Sequence, residues 1–421
     1  MTFVAGGRRV VVTGLGAVTA LGTDVPTYWR RLVAGESGVG PITLFDASAL
    51  NSRVAAEVTD FDPSGVLDRK EIRRNDRATQ MALVCVREAF DDAGLPERLE
   101  GAEAEATGIL IGSGLGGSNT LIDQIAIART EGPNRLSPFF IPMAIANMPA
   151  GVSGIMFGAQ GPNYSTTSAC ASSGHALGES YEIIKRGDAD MMVAGGCEAP
   201  VADAVVAGFG RMKALSTRND DPEAASRPFD ADRDGFVVAE GAASLVLEEL
   251  DHARRRGARI YAEVMGYGAT ADAHHITTPS PGGMGAVRAA RRALHKAGLE
   301  ANDIDLVSAH ATSTGEGDPT ELMGINTLVG EHAPNVSVTA TKSSIGHTLG
   351  AAGAVAAVAT VKALEDGVVP PTLNLHQPDE NVGELDLTPL KARKRELNVA
   401  LVNSFGFGGQ NSAVILQRWE S

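Results

Sequence analysis

From Leu136 to Gly178 the chain carries no Asp, Glu, Lys or Arg. Charged residues make up 21% of the sequence, so a gap of this length constrains the fold. A membrane span is the first thought, but Pro142, Asn147, Pro149, Asn163 and repeated Gly interrupt it. The segment therefore reads as buried in a core or against another subunit. A second uncharged run, Ser343 to Val361, is rich in small residues and contains His347. It reads as a turn feeding a buried helix.

The first run encloses Cys170. An extended, Thr-rich run from Tyr164 to Ala169 stops at this residue, and Ala171, Ser172, Ser173 and Gly174 follow. Leu177, Tyr181 and Ile184 then recur at helical spacing. This places Cys170 at a strand-to-helix turn. A helix N-terminus carries unpaired N–H groups and a partial positive charge, which favour the thiolate, the nucleophilic form. The small neighbours leave room for a substrate. Taken alone, the pattern also fits a packed core thiol.

Strands and helices alternate along the chain, which predicts an α/β fold. RVVVTG (9–14), TGILIG (107–112) and MMVAGG (191–196) read as strands of a first half, 1–258. A second half, 259–421, opens with the strand RIYAEVMGYG and the helix Met284 to Ala297. It continues with a strand ending at His310, helices over Asp318 to Leu328 and Leu349 to Leu364, and a strand from Val399 ending in SFGFGG. ILIGSGLGG and MMVAGGCEA have counterparts in DLVSAHATSTG and ALVNSFGFGG. The pattern predicts a duplication with the site between the halves.

Several functions are excluded. A net charge of -15 is no nucleic-acid-binding profile. Three Cys give no disulfide framework and suit a reducing compartment, and the first residues lack the pattern of a signal peptide. A cytoplasmic location is expected. Gly112, Gly114 and Gly117 satisfy GxGxxG, but the acidic partner of a dinucleotide site is missing. Asp230, Asp232 and Asp234 imitate a calcium loop, yet Gly241 stands where its Glu is needed. The densest basic cluster, Asp68 to Arg77, has five basic residues against three acidic ones and reads as a solvated helix face.

Three more segments follow predicted strands: SAHATSTG around His310, TKSSIGHTLGAAG with Lys342 and His347, and NSFGFGGQN with Phe405 and Phe407. With GPNYSTTSACA, RRNDRATQMAL, RGDADMMVAGGCEA and RPFDADRDGFVVAEGA, they make the chain closely resemble the β-ketoacyl-acyl carrier protein synthases. The nearest group is synthase II, the elongating condensing enzyme. The resemblance spans nearly the whole chain. It implies the thiolase-like fold: duplicated βαβαβαββ halves in five α-β-α-β-α layers.

It also implies a decarboxylative Claisen condensation. Cys170 carries the acyl chain, and His310 and His347 supply N–H groups to the enolate formed from a malonyl thioester. Lys342 supports them, with Glu321 as its ionic partner. The main-chain N–H groups of Cys170 and Phe407 form the oxyanion hole, and Phe407 is the gate. Leu115, Phe209 and Phe405 line the acyl side. Thr312 and Thr314 meet the phosphopantetheine arm, and Thr277 lies on a second mobile loop. Lys70, Arg73, Arg74 and Lys213 form a docking face for an acidic acyl carrier protein. No cofactor or metal is implied. A homodimer is expected, or a heterodimer with a chain-length subunit, with no nucleic-acid or membrane partner.

Three positions depart from the family's usual pattern: Ala311, the turn GEGDP from Gly315 to Pro319, and Gln410. They leave open a specialised polyketide or polyene pathway beside fatty-acid synthesis. Cys170 speaks against a non-catalytic chain-length subunit. His347 speaks against an initiating synthase, which pairs Cys with His and Asn. The absence of a late second Cys speaks against a biosynthetic thiolase.

Overall fold

In the computed structural model, residues 7–420 are described; Met1–Gly6, part of the stretch read for a leader, and Ser421 lie outside them. Ten strands join in one hydrogen-bonded order. The first half supplies β1 (Val10–Val18), β2 (Thr107–Gly112), β3 (Asn163–Tyr164), β4 (Met191–Glu198) and β5 (Gly241–Glu249). The second supplies β6 (Ala262–Ala271), β7 (Leu306–Ser308), β8 (Ser337–Thr339), β9 (Val399–Gly406) and β10 (Gln410–Arg418). Across the sheet they run β8-β7-β9-β10-β6-β1-β5-β4-β2-β3. Within each half the spatial order is therefore third, second, fourth, fifth, first. The halves meet where β1 pairs with β6 antiparallel, through Val10, Val11 and Val12.

Three helices alternate with the strands of each half. They are α1 (Arg77–Asp92), α2 (Met148–Phe157) and α3 (Ser172–Arg186) in the first, and α4 (Met284–Ala297), α5 (Gly317–Val329) and α6 (Ala352–Asp366) in the second. Both halves thus read βαβαβαββ. Helices α1 and α2 cover one outer face, and α4 and α5 the other. Helices α3 and α6 touch strands of both halves and each other, forming the middle of five layers. Helix α6 is buried from Ala352 to Val361 without a polar face, as its small-residue sequence requires for a helix between two sheets.

The extended run before Cys170 is shorter than expected. Only Asn163 and Tyr164 pair, with Ile109 and Leu110. Beyond them the Ser113 amide still donates to the Thr166 carbonyl (3.3 Å), and hydroxyls add to it: Ser165 Oγ donates to the Ile111 carbonyl at 2.6 Å and Thr166 Oγ1 to the Ser172 carbonyl at 2.8 Å. The uncharged segment is only partly buried, since Ile141 is 60% and Ile155 71% exposed. Among the described residues no helix is long and apolar enough to cross a membrane.

Candidate active site

Cys170 lies two residues before α3, in a tight bend. Ala169 takes the left-handed conformation (φ 50°), and the Ala171 and Ser172 amides donate back to the Ser168 and Ala169 carbonyls. Ser172 Oγ donates to the Ala169 carbonyl at 2.6 Å and accepts from the Ser168 amide at 2.9 Å. The thiol is buried, and burial pushes it up to about 12. Lys342 opposes this and Glu198 adds to it. The pull of a helix terminus toward the thiolate is opposed here, because withdrawal from water is the largest influence on this sulfur.

His310 follows β7, and His347 follows a short helix, Lys342–Ile345. Their ring centroids are 5.4 Å apart and nearly perpendicular. Phe405, near the end of β9, packs on His310 at 5.4 Å, and Phe236 meets His347 edge-on at 5.3 Å. His347 is held by its main chain, donating to the Val237 carbonyl and accepting from the Ala239 amide. This approach needs glycine at 346: φ is 66°, and a Cβ there would lie 3.0 Å from the Ala239 Cβ. Burial and then the charge of Lys342 hold both imidazoles well below their ordinary value, so both are neutral near pH 7. Neither Nδ1 has a hydrogen-bond partner among the described residues. Each ring keeps hydrogen-bonding capacity for a group entering the site.

Lys342 and Glu321 do not form the expected direct ion pair among the described residues. Lys342 Nζ donates to the His310 carbonyl. The Glu321 carboxylate accepts from the His310 amide (2.9 Å), the Ala311 amide (2.7 Å) and Asn403 Nδ2 (3.0 Å). The two charges are coupled across the main chain of His310 rather than by contact. Burial brings Lys342 down to about 8, against the opposing pull of Glu321, Cys170 and Asp318. It also raises the Glu321 carboxyl.

A cleft of about 570 Å³ opens on these groups. Cys170, His310, His347, Glu321, Phe405, Phe407 and Phe209 line it, as do Thr312, Thr314, Thr277 and Lys213. Thr312 and Thr314 share a hydroxyl contact of 3.0 Å. Phe407 sits in a turn that presses on the bend at Cys170; a Cβ at Gly406 would lie 2.3 Å from the Ser168 carbonyl oxygen. That turn is tied to the Thr277 loop. The Gly408 amide donates to the Ile276 carbonyl (2.8 Å), and Asn411 Nδ2 donates to Asp272 (2.8 Å).

Leu115 is not brought into this cleft; it is 41% exposed. Lys70, Arg73 and Arg74 lie away from it, on the exposed helix Arg69–Arg74, where Arg74 stacks over Phe139 at 4.7 Å. Three buried groups were not singled out in the sequence. Asp318 accepts the Phe229, Ser313 and Thr314 amides, and Asn403 orients Glu321. Glu198 is the third. Asp318 lies in the first turn of α5, three residues before Glu321, the one signal that could have found it.

The beta-ketoacyl synthase N-terminal domain family matches residues 7–253, and its C-terminal domain family matches residues 261–376. The chain is 47% identical over 413 residues to a 3-oxoacyl-[acyl-carrier-protein] synthase 2 of Synechocystis sp., covering 98% of this chain and 99% of that one. Its fold is similar to that of the ishigamide ketosynthase/chain length factor, with a TM-score of 0.92 and 35% identity over 99% of this chain and all of that one. It is also similar to a type II PKS ketosynthase solved in complex with its acyl-carrier protein, with a TM-score of 0.90 and 30% identity over 98% of this chain and all of that one. The chain thus belongs to the beta-ketoacyl synthase family, as an elongating condensing enzyme of the synthase II type.

Proposed function

We propose that the protein lengthens acyl chains by two carbons in fatty-acid synthesis, using malonyl-acyl carrier protein. One observation carries this reading: a single cleft brings the Cys170 thiol together with two neutral histidines, one of them fixed through its main chain by Lys342 and Glu321. Cys170 attacks the carrier-bound acyl thioester, the new sulfur–carbon bond forms, and the carrier thiol leaves with the proton. The main-chain N–H groups of Cys170 and Phe407 stabilise the oxyanion of this step. Malonyl thioester then loses carbon dioxide, and His310 and His347 donate hydrogen bonds to the enolate oxygen. The enolate carbon attacks the acyl carbonyl and displaces Cys170 as a thiolate, which takes up a proton from solvent, releasing β-ketoacyl carrier protein. Lys342 and Glu321 act as positioning residues.

Phe209 and Phe405 line the acyl side, and Leu115 belongs to the same reading although the cleft lining does not include it. A dimer is supported by exposed Ile141, Ile145, Ile155 and Tyr164 beside the unpaired edge of β3. Thr312, Thr314 and Thr277 take the phosphopantetheine arm, and Phe407 gates it. Lys70, Arg73, Arg74 and Lys213 receive the acidic carrier protein. The division at 258/259 is supported by the repeated strand order on either side. A cytoplasmic location belongs to the same reading.

A second reading, the same chemistry in a polyketide pathway, is favoured by the likeness to the ishigamide ketosynthase/chain length factor. The test is to incubate the enzyme with acyl carrier proteins of several chain lengths plus malonyl carrier protein and weigh the products. A product two carbons longer, absent in Cys170→Ala, is expected. Acylated Cys170 without extension of any fatty acyl chain would favour the second reading.

A further inference from the structure

Glu198 ends β4 with no exposed surface. Its carboxylate accepts four hydrogen bonds, two on each oxygen. Ser113 Oγ (2.9 Å) and the Leu115 amide (3.1 Å) donate to Oε1. The Gly114 amide (2.7 Å) and the Gly350 amide (2.9 Å) donate to Oε2. Three donors belong to the turn after β2 in the first half. The fourth comes from the second half, three residues past His347. An amide side chain fits this place less well: turned one way its NH2 faces the Gly114 and Gly350 N–H groups, turned the other way it faces the Leu115 N–H. Packing is tight as well: a Cβ on Gly350 would lie 2.4 Å from the Gly114 nitrogen.

The same carboxylate lies beside the bend that carries Cys170: a Cβ on Gly114 would meet Glu198 Oε2 at 3.0 Å and the Ala169 carbonyl oxygen at 3.5 Å. Glu198 and Lys342 are the charged groups felt by the Cys170 thiol, with opposite signs. Lys342 is in turn faced by Glu321 and Asp318, and His310 and His347 both feel Lys342. Burial pushes the Glu198 carboxyl up to about 7 against its four donors, so its charge changes near neutrality.

We propose that Glu198 is a positioning residue of the condensing site. It ties the Leu115 turn to the turn after His347 and sets a negative charge against Cys170, keeping the thiol protonated until an acyl thioester enters. On attack the sulfur–carbon bond forms, and the departing carrier sulfur takes up the thiol proton. The inference rests on the condensing reading only for the extension arm of its test.

The test compares wild type with Glu198→Gln and Glu198→Asp, measuring iodoacetamide alkylation of Cys170 against pH and extension of an acyl carrier protein. In Glu198→Gln, alkylation is expected to run roughly threefold faster on the rising limb. The two profiles should converge below about pH 7, where the native carboxyl is protonated. Extension by the same variant should slow. Glu198→Asp keeps the charge but shortens the reach; it should retain the wild-type alkylation profile while extension still slows. A Gln profile superimposed on wild type at every pH, or extension unchanged in both variants, would overturn the proposal. If Glu198→Gln does not fold, Ser113→Ala decides: removing one donor weakens the charged form and should move alkylation the same way by less, whereas an unmoved profile refutes it. If wild type extends no chain, the condensing reading falls while the alkylation arm still judges Glu198.

Discussion

Lys342 reaches across the site to donate a hydrogen bond from its Nζ to the main-chain carbonyl of His310. Glu321 takes the amide hydrogen of the same residue at 2.9 Å. A cation and an anion therefore fix one histidine from both polar ends of its backbone, leaving its ring free for chemistry.

Lys342→Ala removes one charged hydrogen bond, worth about 1.5–3 kcal/mol, so condensation should slow about 10- to 100-fold. Acylation of Cys170, followed by intact-protein mass, should slow much less, because His310 serves the second step. Equal loss in both steps would contradict this role. Lys342→Arg should not restore the rate, since the contact is a point charge in a closed site.

Ala311 holds φ at 24°, a conformation that L side chains rarely adopt. Strain of this kind amounts to about 1–3 kcal/mol, while Gly gives back about 0.5–1 kcal/mol through the freer unfolded chain. Ala311→Gly is therefore expected to raise the melting temperature or leave it level. A fall of several degrees would show that the methyl contributes packing that outweighs the strain.

Reversing Lys70 and Arg73 to Glu should raise KM for acyl carrier protein about tenfold with kcat little changed. The effect should fade as salt rises. A small pantetheine thioester, which needs no docking face, should be used as well as by wild type. A matching loss with that substrate would place these residues at the site itself.

Far from the cleft, Glu248 accepts from Thr13, Arg256 and His252. Burial would raise this carboxyl, but bonds from Arg256, His252 and Thr13 outweigh it and hold it at about 2. Its folded value lies below its ordinary 4.5, so the stabilisation is present above 4.5 and lost as pH falls toward 2. Glu248→Gln should cost about 3 kcal/mol in urea unfolding at neutral pH, with the gap closing in acid. His252, raised chiefly by its bond to Glu248, contributes in the opposite sense: its share is present below its ordinary value and lost as pH rises. A gap independent of pH would refute the assignment.

Periodicity and punctuation made much of the architecture legible. Met284–Ala297 is a helix between Gly283 and Gly298, as read, because apolar spacing and terminal glycines agree there. The family motifs located the cleft groups because their segments converge on one cleft: His310 follows β7, His347 follows a short helix after β8, and Phe405 lies near the end of β9. Three features were less legible. The regular pairing stops at Tyr164, and Ser165 and Thr166 add hydroxyl-to-carbonyl bonds that their strand-like composition does not announce. The Lys342 charge went to a main-chain carbonyl, which no residue spacing encodes. Glu198 collects donors from positions 113 to 115 and 350, a convergence set by tertiary packing alone.

The two halves share three residue pairs of sheet at β1 and β6, and α3 and α6 lie between them. Cys170 stands before α3 and His347 before α6, so each half presents part of the cleft lining at the same seam. A fragment cut from either side would carry an incomplete set of reactive groups on an uncovered apolar wall. Recovery of turnover on mixing two such fragments would report their reassociation directly, making catalysis a gauge of how the ancestral repeats dock.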